Sequence, residues 1–233
     1  MHNTKIKICG LSKLEDALAS ATAGADFLGI IFEPNSRRCM DIEAAKKLVG
    51  SFSTEWRQEK PKWVGVFANQ PLDEINNLLT YCNMDIAQLS GHESPEYCLQ
   101  VVRPVIKVIH VRTDTPLRET LWEVKRSITE YYGNGHACML DTFKEGVLGG
   151  TGQTFDWEVA SALSNAYYFL LAGGLSPENV AEAIEEVKPW GIDVSSGVET
   201  NGQKDPAKIA QFIDQVRHAD QTKNKLNLTS ADN

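Results

Sequence analysis

Residues 168–197 read YFLLAGGLSPENVAEAIEEVKPWGIDVSSG and contain a predicted strand, a predicted helix and a second predicted strand. The apolar run 168–171 predicts the first strand, and Ile192-Asp193-Val194 predicts the second. Between them, Ser176-Pro177-Glu178 predicts a helix start, because serine caps helices, proline suits the first turn and an acidic residue favours the helix dipole. Two strands joined by a helical crossover lie parallel, so this stretch indicates a parallel α/β fold.

The same alternation of apolar runs and amphipathic segments extends over the rest of the chain. Six further strands are predicted at residues 6–9, 27–32, 64–67, 86–89, 105–109 and 137–140, and a predicted helix follows each strand. Eight such units in 233 residues favour a single (β/α)8 TIM barrel with parallel strands, since these barrels need roughly 250 residues. An open doubly wound sheet is the alternative, although no GxGxxG motif follows the first strand.

The chain is expected to form one domain, because no linker rich in Pro, Gly or Ser divides it. We assign residues 1–219 to the catalytic barrel and residues 220–233 to a polar tail that is expected to fray. The last helix is predicted to start at Asp205-Pro206 and to run to about Val216. A polar spacer at residues 51–62 separates the second helix, predicted over 42–49, from the third strand.

Charge and cysteine usage exclude several classes of protein. The formal net charge is −8 and no basic run exceeds a pair, which argues against nucleic acid and anionic membranes as partners. No apolar stretch approaches the ~20 residues of a membrane span, and no signal peptide is recognised. The five cysteines and five histidines show no metal-ligand spacing, so we expect neither a disulfide framework nor a metal. A reducing, cytoplasmic location fits best.

Glycine-bearing turns follow the sixth, seventh and eighth predicted strands. The candidate residues in these turns are Gly150, Thr151, Gly152, Gly173, Gly174, Ser196 and Gly197. In α/β barrels the active site lies at the carboxyl ends of the strands, and a phosphate commonly sits after strands seven and eight. Glycine lets backbone N–H groups approach an anion closely. We therefore predict that these residues bind a phosphate, with ordinary tight turns as the alternative.

Ordered motifs run from about residue 5 to residue 216. The first half contains Lys7-Ile8-Cys9-Gly10-Leu11, Gly24-Ala25-Asp26 with Phe32, Ser36-Arg37-Arg38, Val64-Gly65-Val66-Phe67 and Gln88-Leu89. The second half contains Leu140-Asp141, Gly149-Gly150-Thr151-Gly152 with Phe155-Asp156-Trp157, Ala172-Gly173-Gly174-Leu175 with Pro177-Glu178-Asn179-Val180, Asp193-Val194-Ser195-Ser196-Gly197-Val198-Glu199 and Gly202-Gln203-Lys204-Asp205. Each piece alone is weak, but in this order the set specifically resembles the phosphoribosylanthranilate isomerase family.

The resemblance implies an Amadori rearrangement in tryptophan biosynthesis. The substrate would be N-(5-phosphoribosyl)anthranilate, an aminoaldose. The product would be the aminoketose 1-(2-carboxyphenylamino)-1-deoxyribulose 5-phosphate. The resemblance implies general acid/base catalysis on this small-molecule substrate, without a metal or an organic cofactor. We leave the oligomeric state open, with a monomer as the favoured expectation.

The resemblance assigns the general base to Cys9 and the general acid to Asp141. Cys9 would remove the C2′ proton, for which its pKa must fall, and Asp141 would protonate the ring oxygen, for which its pKa must rise. Arg38, rather than Arg37, would bind the anthranilate carboxylate with its planar fork. The plainer interpretations of these residues are a core cysteine, a loop-capping aspartate and a surface arginine.

Lys7 lies two residues before Cys9 and points to the same side of the strand. A lysine inside a barrel is costly unless it is paired, so we infer that Lys7 faces inward and biases Cys9 toward thiolate. A purely structural pairing of Lys7 is the alternative. Asp193 ends the eighth strand, which adjoins the first in a closed barrel. It would either pair with Lys7 or touch the substrate amine, and the sequence leaves both open.

One motif departs from the family pattern, which usually reads Gln-Leu-His-Gly after strand four. Here the segment reads Gln88-Leu89-Ser90-Gly91, with His92 beyond the glycine. The departure concerns the lining around the aromatic part of the substrate, not the acid or the base. Two other functions are the alternatives. One is a barrel like indole-glycerol-phosphate synthase, whose lysine and glutamate motifs are not found here, and the other is a barrel that only binds a phosphorylated ligand.

Overall fold

The eight predicted strands form one closed parallel barrel. In the computed structural model, which describes residues 3–142 and 157–229, each strand pairs with the next and the first also pairs with the eighth. The strands are β1 (Lys5–Cys9), β2 (Phe27–Ile31), β3 (Lys62–Phe67), β4 (Ile86–Leu89), β5 (Val105–Val111), β6 (Ala137–Thr142), β7 (Phe169–Leu171) and β8 (Gly191–Val194). Closure between β1 and β8 confirms the (β/α)8 barrel and excludes the open sheet.

A helix follows each strand. The helices are α1 (Leu14–Ala23), α2 (Ile42–Glu55), α3 (Leu72–Tyr81), α4 (Pro95–Cys98), α5 (Leu117–Gly133), α6 (Trp157–Ser164), α7 (Val180–Val187) and α8 (Pro206–Thr229). After β8 the chain forms a short 3₁₀ helix, η1 (Ser196–Val198), and a small hairpin of β9 (Glu199–Thr200) and β10 (Gln203–Lys204). Among the helices in the described part of the chain, none is long and apolar enough to cross a membrane.

The second helix is longer than predicted. α2 includes residues 51–55 of the expected polar spacer. Phe52 is fully buried and continues the stripe formed by Ala45, Leu48 and Val49 at helical spacing. Burial of this one aromatic ring compensates for the polar residues around it, so the helix continues until the apolar stripe ends.

The last helix is also longer than predicted, and the proposed boundary after residue 219 falls within it. α8 continues past Val216 to Thr229. Within it, the buried Asp220 accepts hydrogen bonds from the backbone N and the Oγ1 of Thr4, at 3.0 and 2.7 Å. This contact ties α8 to the residue just before β1. Fraying of the chain end stays a prediction.

The seventh helix begins later than predicted. Ser176 starts a turn rather than the helix, and α7 begins at Val180. The Asn179 side chain accepts from the backbone N of Ser176 at 2.8 Å and donates to the carbonyl of Gly174 at 3.0 Å. These bonds hold the turn after β7 against the start of α7.

Alternation along the strands places polar side chains at the carboxyl end of the barrel. The middle of the barrel is filled by an apolar cluster of Phe27, Val64, Ile86, Ile106, Val108, Met139, Leu170 and Ala172. Side chains two residues beyond these positions point the same way, because strand side chains alternate with a period of two. Gln88, His110 and Asp141 follow Ile86, Val108 and Met139 by that spacing. The upper layer of the barrel interior is therefore polar.

Candidate active site

A cavity of about 580 Å³ opens at the carboxyl end of the barrel. Its lining contains four of the predicted site residues, from strands β1, β6 and β8 and from the loop after β2. The lining residues are Cys9, Ile31, Glu33, Asn35, Ser36, Arg37, Arg38, Val66, Phe67, Ala68, Gln88, Ser90, His110, Asp141, Asp193 and Ser195. The structure thus brings Cys9, Asp141, Arg38 and Asp193 together around one space.

Lys7 lies directly beneath this cavity. Its side chain is completely buried, and its Nζ forms an ion pair with Asp193 Oδ1 at 2.8 Å. β1 and β8 pair with Lys7 opposite Asp193, so barrel closure itself brings the two charges together. Burial alone would lower the pKa of Lys7, but Asp193 and Cys9 outweigh that effect and raise it. Lys7 is therefore a fixed cation in the barrel interior.

Cys9 lies beside this cation. Gly29, its register partner on β2, leaves room for both groups: a Cβ there would stand 3.1 Å from Cys9 Sγ and 3.2 Å from Lys7 Nζ. Burial raises the pKa of the Cys9 thiol, and Lys7 opposes that shift without overcoming it. Lys7 thus faces inward and biases Cys9 toward thiolate, as expected, but desolvation is the larger effect and the pKa of the thiol stays above its usual value.

Asp141 lies in β6 on the other side of the cavity. It is half buried, and its register partner on β5 is His110, which also lines the cavity. β1 and β6 are not neighbours in the barrel, so Cys9 and Asp141 reach the cavity from different parts of the wall. A bound molecule can therefore lie between the thiol and the carboxyl.

The Arg38 guanidinium forms a forked ion pair with Glu199. Arg38 Nε and Nη2 donate to Glu199 Oε1 and Oε2, at 2.7 and 3.2 Å. Lys204 Nζ donates to Glu199 Oε1 at 2.9 Å, and Arg37 donates to Oε2 at 3.0 Å. Burial would raise the pKa of Glu199, but the bonds from Arg38 and Lys204 hold it at about 2. Arg38 is 14% exposed and Arg37 is 62% exposed, so only Arg38 is held within the wall.

Glu199 and Lys204 are functional candidates that lie within the sequence motifs at 193–199 and 202–205 but have no role predicted from the sequence. They lie on opposite strands of the β9–β10 hairpin, where Lys204 pairs in register with Glu199. Lys204 Nζ also donates to the carbonyl of Ser195 at 2.7 Å, and Ser195 Oγ donates to the carbonyl of Cys9 at 3.1 Å. The hairpin therefore connects Arg38 to the ends of β8 and β1. The sequence signal for this hairpin is the Asn201-Gly202 pair between its strands, since both residues adopt positive φ values and Asn-Gly is typical of tight hairpin turns.

The predicted phosphate residues after β7 and β8 adjoin each other. Gly173 and Gly174 have φ values of 89° and 66°, a region that favours glycine. A Cβ on Gly197 would collide with the carbonyl oxygen of Leu175, so the turn after β8 packs directly on the turn after β7. Ser196 and Gly197 begin η1. The other predicted phosphate residues, Gly150, Thr151 and Gly152, lie outside the described residues.

The departure from the family pattern at residue 90 lies on the cavity wall. Gln88 Nε2 is 3.3 Å from Ser90 Oγ, and both residues line the cavity. The backbone carbonyl of Ser90 lies 2.9 Å from His110 Nε2. Ser90 thus links β4 to β5 through its main chain, at the side of the cavity where Asp141 stands.

Comparison with known proteins identifies the family. The family model described as N-(5'phosphoribosyl)anthranilate (PRA) isomerase matches residues 6–215. The N-(5'-phosphoribosyl)anthranilate isomerase of Dehalococcoides mccartyi is 45% identical over 216 residues, which cover 93% of this chain and 97% of that protein.

Solved structures agree with this match. Monomers of the dimeric phosphoribosylanthranilate isomerase from Thermotoga maritima superpose with a TM-score of 0.76 at 33% identity, over 92% of this chain and 99% of theirs. A phosphoribosyl anthranilate isomerase in complex with reduced 1-(o-carboxyphenylamino)-1-deoxyribulose 5-phosphate superposes with a TM-score of 0.75 at 33% identity, over the same shares. The chain belongs to the N-(5'-phosphoribosyl)anthranilate isomerase family, the aldose–ketose isomerases of tryptophan biosynthesis.

Proposed function

We propose that Cys9 and Asp141 convert N-(5'-phosphoribosyl)anthranilate to 1-(2-carboxyphenylamino)-1-deoxyribulose 5-phosphate by general acid/base catalysis. The observation that carries this proposal is the presence of a thiol and a carboxyl on separate parts of one cavity wall. The aldose and the ketose have the same overall oxidation level. The reaction therefore needs proton transfers within the site and no external redox carrier.

In the proposed mechanism Asp141 acts first. Its protonated carboxyl gives a proton to the furanose ring oxygen, the C1′–O bond breaks, and the nitrogen lone pair forms a protonated Schiff base. The Cys9 thiolate then takes the C2′ proton, and the electrons of that C–H bond neutralise the iminium nitrogen to give an enolamine. Tautomerisation of the enolamine yields the aminoketose. Lys7 supports this step because its fixed positive charge opposes the effect of burial on Cys9.

We propose that Arg38 binds the anthranilate carboxylate. Its guanidinium is planar and already held in the wall by Glu199, which uses Nε and one Nη2 hydrogen. Within residues 3–142 and 157–229, no contact uses the Nη1 hydrogens or the second Nη2 hydrogen, so these can form a fork to a second carboxylate. The phosphate would lie over the turns after β7 and β8, where glycine conformations and the packing of Gly197 on Leu175 bring backbone groups together.

A cytoplasmic location and a monomeric state are also proposed. All five cysteines are free thiols, which suits a reducing compartment. The dimeric relative from Thermotoga maritima makes the oligomeric state worth measuring, and light scattering of the purified chain would do so.

Loss of substrate fluorescence in the purified enzyme tests the proposed roles. We expect the wild type to consume phosphoribosylanthranilate, and Cys9→Ser and Asp141→Asn each to lower kcat by about 10²–10⁴-fold with little change in KM. Near-normal kcat in Cys9→Ser would overturn the base assignment, and near-normal kcat in Asp141→Asn the acid assignment. A wild type that binds the product without any turnover would favour a binding barrel. Consumption of the aminoketose instead of phosphoribosylanthranilate would favour an activity like that of indole-glycerol-phosphate synthase.

A further inference from the structure

Lys204 is a buried cation that the mechanism above does not use. Its side chain is 3% exposed, and its Nζ donates to Glu199 Oε1 at 2.9 Å and to the carbonyl of Ser195 at 2.7 Å. Lys204 lies on β10 in register with Glu199 on β9, so the hairpin itself brings the two charges together. A buried lysine is costly unless it is paired, so this contact keeps Lys204 within the wall.

Glu199 accepts hydrogen bonds from two buried cations at once. Its Oε1 accepts from Arg38 Nε at 2.7 Å and from Lys204 Nζ, and its Oε2 accepts from Arg38 Nη2 at 3.2 Å. The pKa of Glu199 is about 2, so its carboxylate is ionised at neutral pH. Because this side chain is buried, water screens its negative charge poorly.

This negative charge acts against the proposed role of Arg38. Glu199 occupies the edge of the guanidinium formed by Nε and Nη2, which leaves the edge formed by Nη1 and Nη2 for a substrate carboxylate. A carboxylate bound there would share one guanidinium with Glu199. Two carboxylates at such short range repel each other, and a single positive charge does not balance both.

Lys204 supplies the missing positive charge. Arg38 and Glu199 together carry no net charge, and the addition of Lys204 makes the buried group of three positive. Arg37 also contacts Glu199, but it is 62% exposed, so water screens its charge. Lys204 is therefore the buried cation that offsets Glu199 without occupying the free edge of Arg38.

We propose that Lys204 is a positioning residue for the substrate carboxylate, because it balances the charge of Glu199 and so lets Glu199 orient the Arg38 guanidinium without repelling the anthranilate. The inference rests on the proposed role of Arg38. It gives the β9–β10 hairpin a part in selecting a substrate that carries a carboxylate on its aromatic ring.

Two unreactive ligands that differ only in the carboxylate test this role. They are the aminoketose product with its ketone reduced to an alcohol, and the same compound without its carboxyl group. Titration calorimetry gives the Kd of each, which separates binding from the chemistry at Cys9, where the charge of Lys204 also acts on the pKa of the thiol. Lys204→Met should raise the Kd of the carboxylated ligand at least about tenfold and that of the other ligand by about twofold or less, because only the first meets the unbalanced charge of Glu199.

Further variants separate charge from structure. Lys204→Gln keeps a donor amide without the charge, so it should cause the same selective loss even if Lys204→Met fails to fold. In Glu199→Gln/Lys204→Met both charges are gone, and we expect the Kd of the carboxylated ligand to return to within about threefold of the wild type. Lys208→Met is the matched control and should affect neither ligand, because Lys208 Nζ donates to the main-chain carbonyl of Glu199, at 2.9 Å, and not to its carboxylate.

The outcomes distinguish this inference from the proposed role of Arg38. A wild-type Kd for the carboxylated ligand in Arg38→Ala would refute that role itself. If Arg38→Ala weakens this ligand but the Lys204 variants do not, or if they weaken both ligands alike, the inference is overturned. A loss that persists in the double variant would overturn it as well.

Discussion

At the scale of single residues, burial and charge act in opposite directions on Cys9. Desolvation favours the neutral thiol and Lys7 favours the thiolate, with burial the stronger of the two. Asp193 neutralises part of the Lys7 charge through their 2.8 Å ion pair. The free enzyme therefore holds mostly thiol, and only the fraction with a thiolate and a protonated Asp141 is ready for catalysis. The apparent pKa values in the pH profile of the reaction therefore describe Cys9 and Asp141 as a pair and not either residue alone.

Removal of the buried cation should affect both stability and Cys9. Lys7→Met leaves the Asp193 carboxylate buried without its partner, and we expect the free energy of unfolding to fall by roughly 3–5 kcal/mol. Lys5→Met is the matched control on the same strand, because Lys5 is 43% exposed and its pair with Asp26 is worth about 0–1 kcal/mol. Urea unfolding measures the free energy of unfolding of both variants. Equal losses of this free energy in the two variants would contradict the expectation that the buried Lys7–Asp193 pair stabilises the fold more than the exposed Lys5–Asp26 pair.

The same variant should also change the titration of the thiol. Without Lys7 the pKa of Cys9 should rise further, since the main charge that opposes burial is gone and burial remains. The thiolate absorbance of Lys7→Met, measured against a Cys9→Ser blank, should therefore develop at higher pH than in the wild type.

Arg38 and Arg37 should differ in their effect on substrate binding. Arg38→Ala removes a charge-assisted bidentate pair worth roughly 1.5–3 kcal/mol, so KM should rise about 10- to 150-fold. Arg37 is 62% exposed, and Arg37→Ala should change KM by about threefold or less. Arg38→Lys should not restore binding, because an ammonium lacks the planar fork. The opposite ranking of the two alanine variants in steady-state kinetics would place the carboxylate on Arg37.

At the scale of elements, the turn after β7 and the start of η1 form one packed unit. Asn179 bonds to both Gly174 and Ser176, and Gly197 contacts Leu175. A bulky residue at Gly197 would collide with backbone atoms and disturb the fold. A rise in KM in such a variant could therefore come from misfolding as well as from weaker phosphate binding. A phosphate test therefore needs a position where a new charge does not disturb this packing.

Ser196 offers that position, since it is only half buried at the start of η1. Ser196→Asp places a negative charge at the proposed phosphate site, and we expect KM to rise at least about tenfold, because like charges at close range repel. Ser196→Asn, of nearly the same shape but neutral, is the control and should change KM much less. Inhibition by inorganic phosphate should weaken in parallel. Equal KM values in the two variants would remove the phosphate from this turn.

At the scale of the whole molecule, Glu199 couples stability to pH. Its pKa is about 2 in the folded protein, against 4.5 for an ordinary glutamate. A carboxyl with a lowered folded pKa adds stability above its unfolded pKa and loses that stability as pH falls toward the folded value. The unfolding free energy should therefore decrease by up to about 3 kcal/mol between pH 4.5 and pH 2 through this group.

The pH dependence of thermal unfolding checks this expectation. Glu199→Gln should lower Tm at pH 7 and should flatten the loss of stability in that acid range. Glu185→Gln, an exposed position on α7, should keep the slope of the wild type. A wild-type slope in Glu199→Gln would show that other carboxylates cause the acid transition.

The fold could be predicted because its signals are local. Strand and helix periodicity repeats within windows of a few residues, and β4 begins and ends where the pattern 86–89 predicts. Element ends were less predictable, since Phe52 extends α2 through contacts made with other parts of the protein and Asn179 delays α7 by bonding to the preceding turn. Such contacts override local propensity.

The sequence by itself determined the eight alternating strand and helix units, the strand ends that carry Cys9 and Asp141, and the inward direction of Lys7, because these follow from periodicity and spacing along the chain. The tertiary structure decided that the sheet closes into a barrel instead of staying open. Only the tertiary structure decided which distant charges meet. Lys7 and Asp193 are 186 residues apart, and Arg38 and Glu199 are 161 apart. The Lys7–Asp193 pairing depends on the register at which the barrel closes, and the Arg38–Glu199 pairing depends on how the β9–β10 hairpin packs against the loop after β2. The tertiary structure also decided that the pKa of Cys9 shifts upward, since the shift depends on how deeply the thiol is buried and on which charges lie near it.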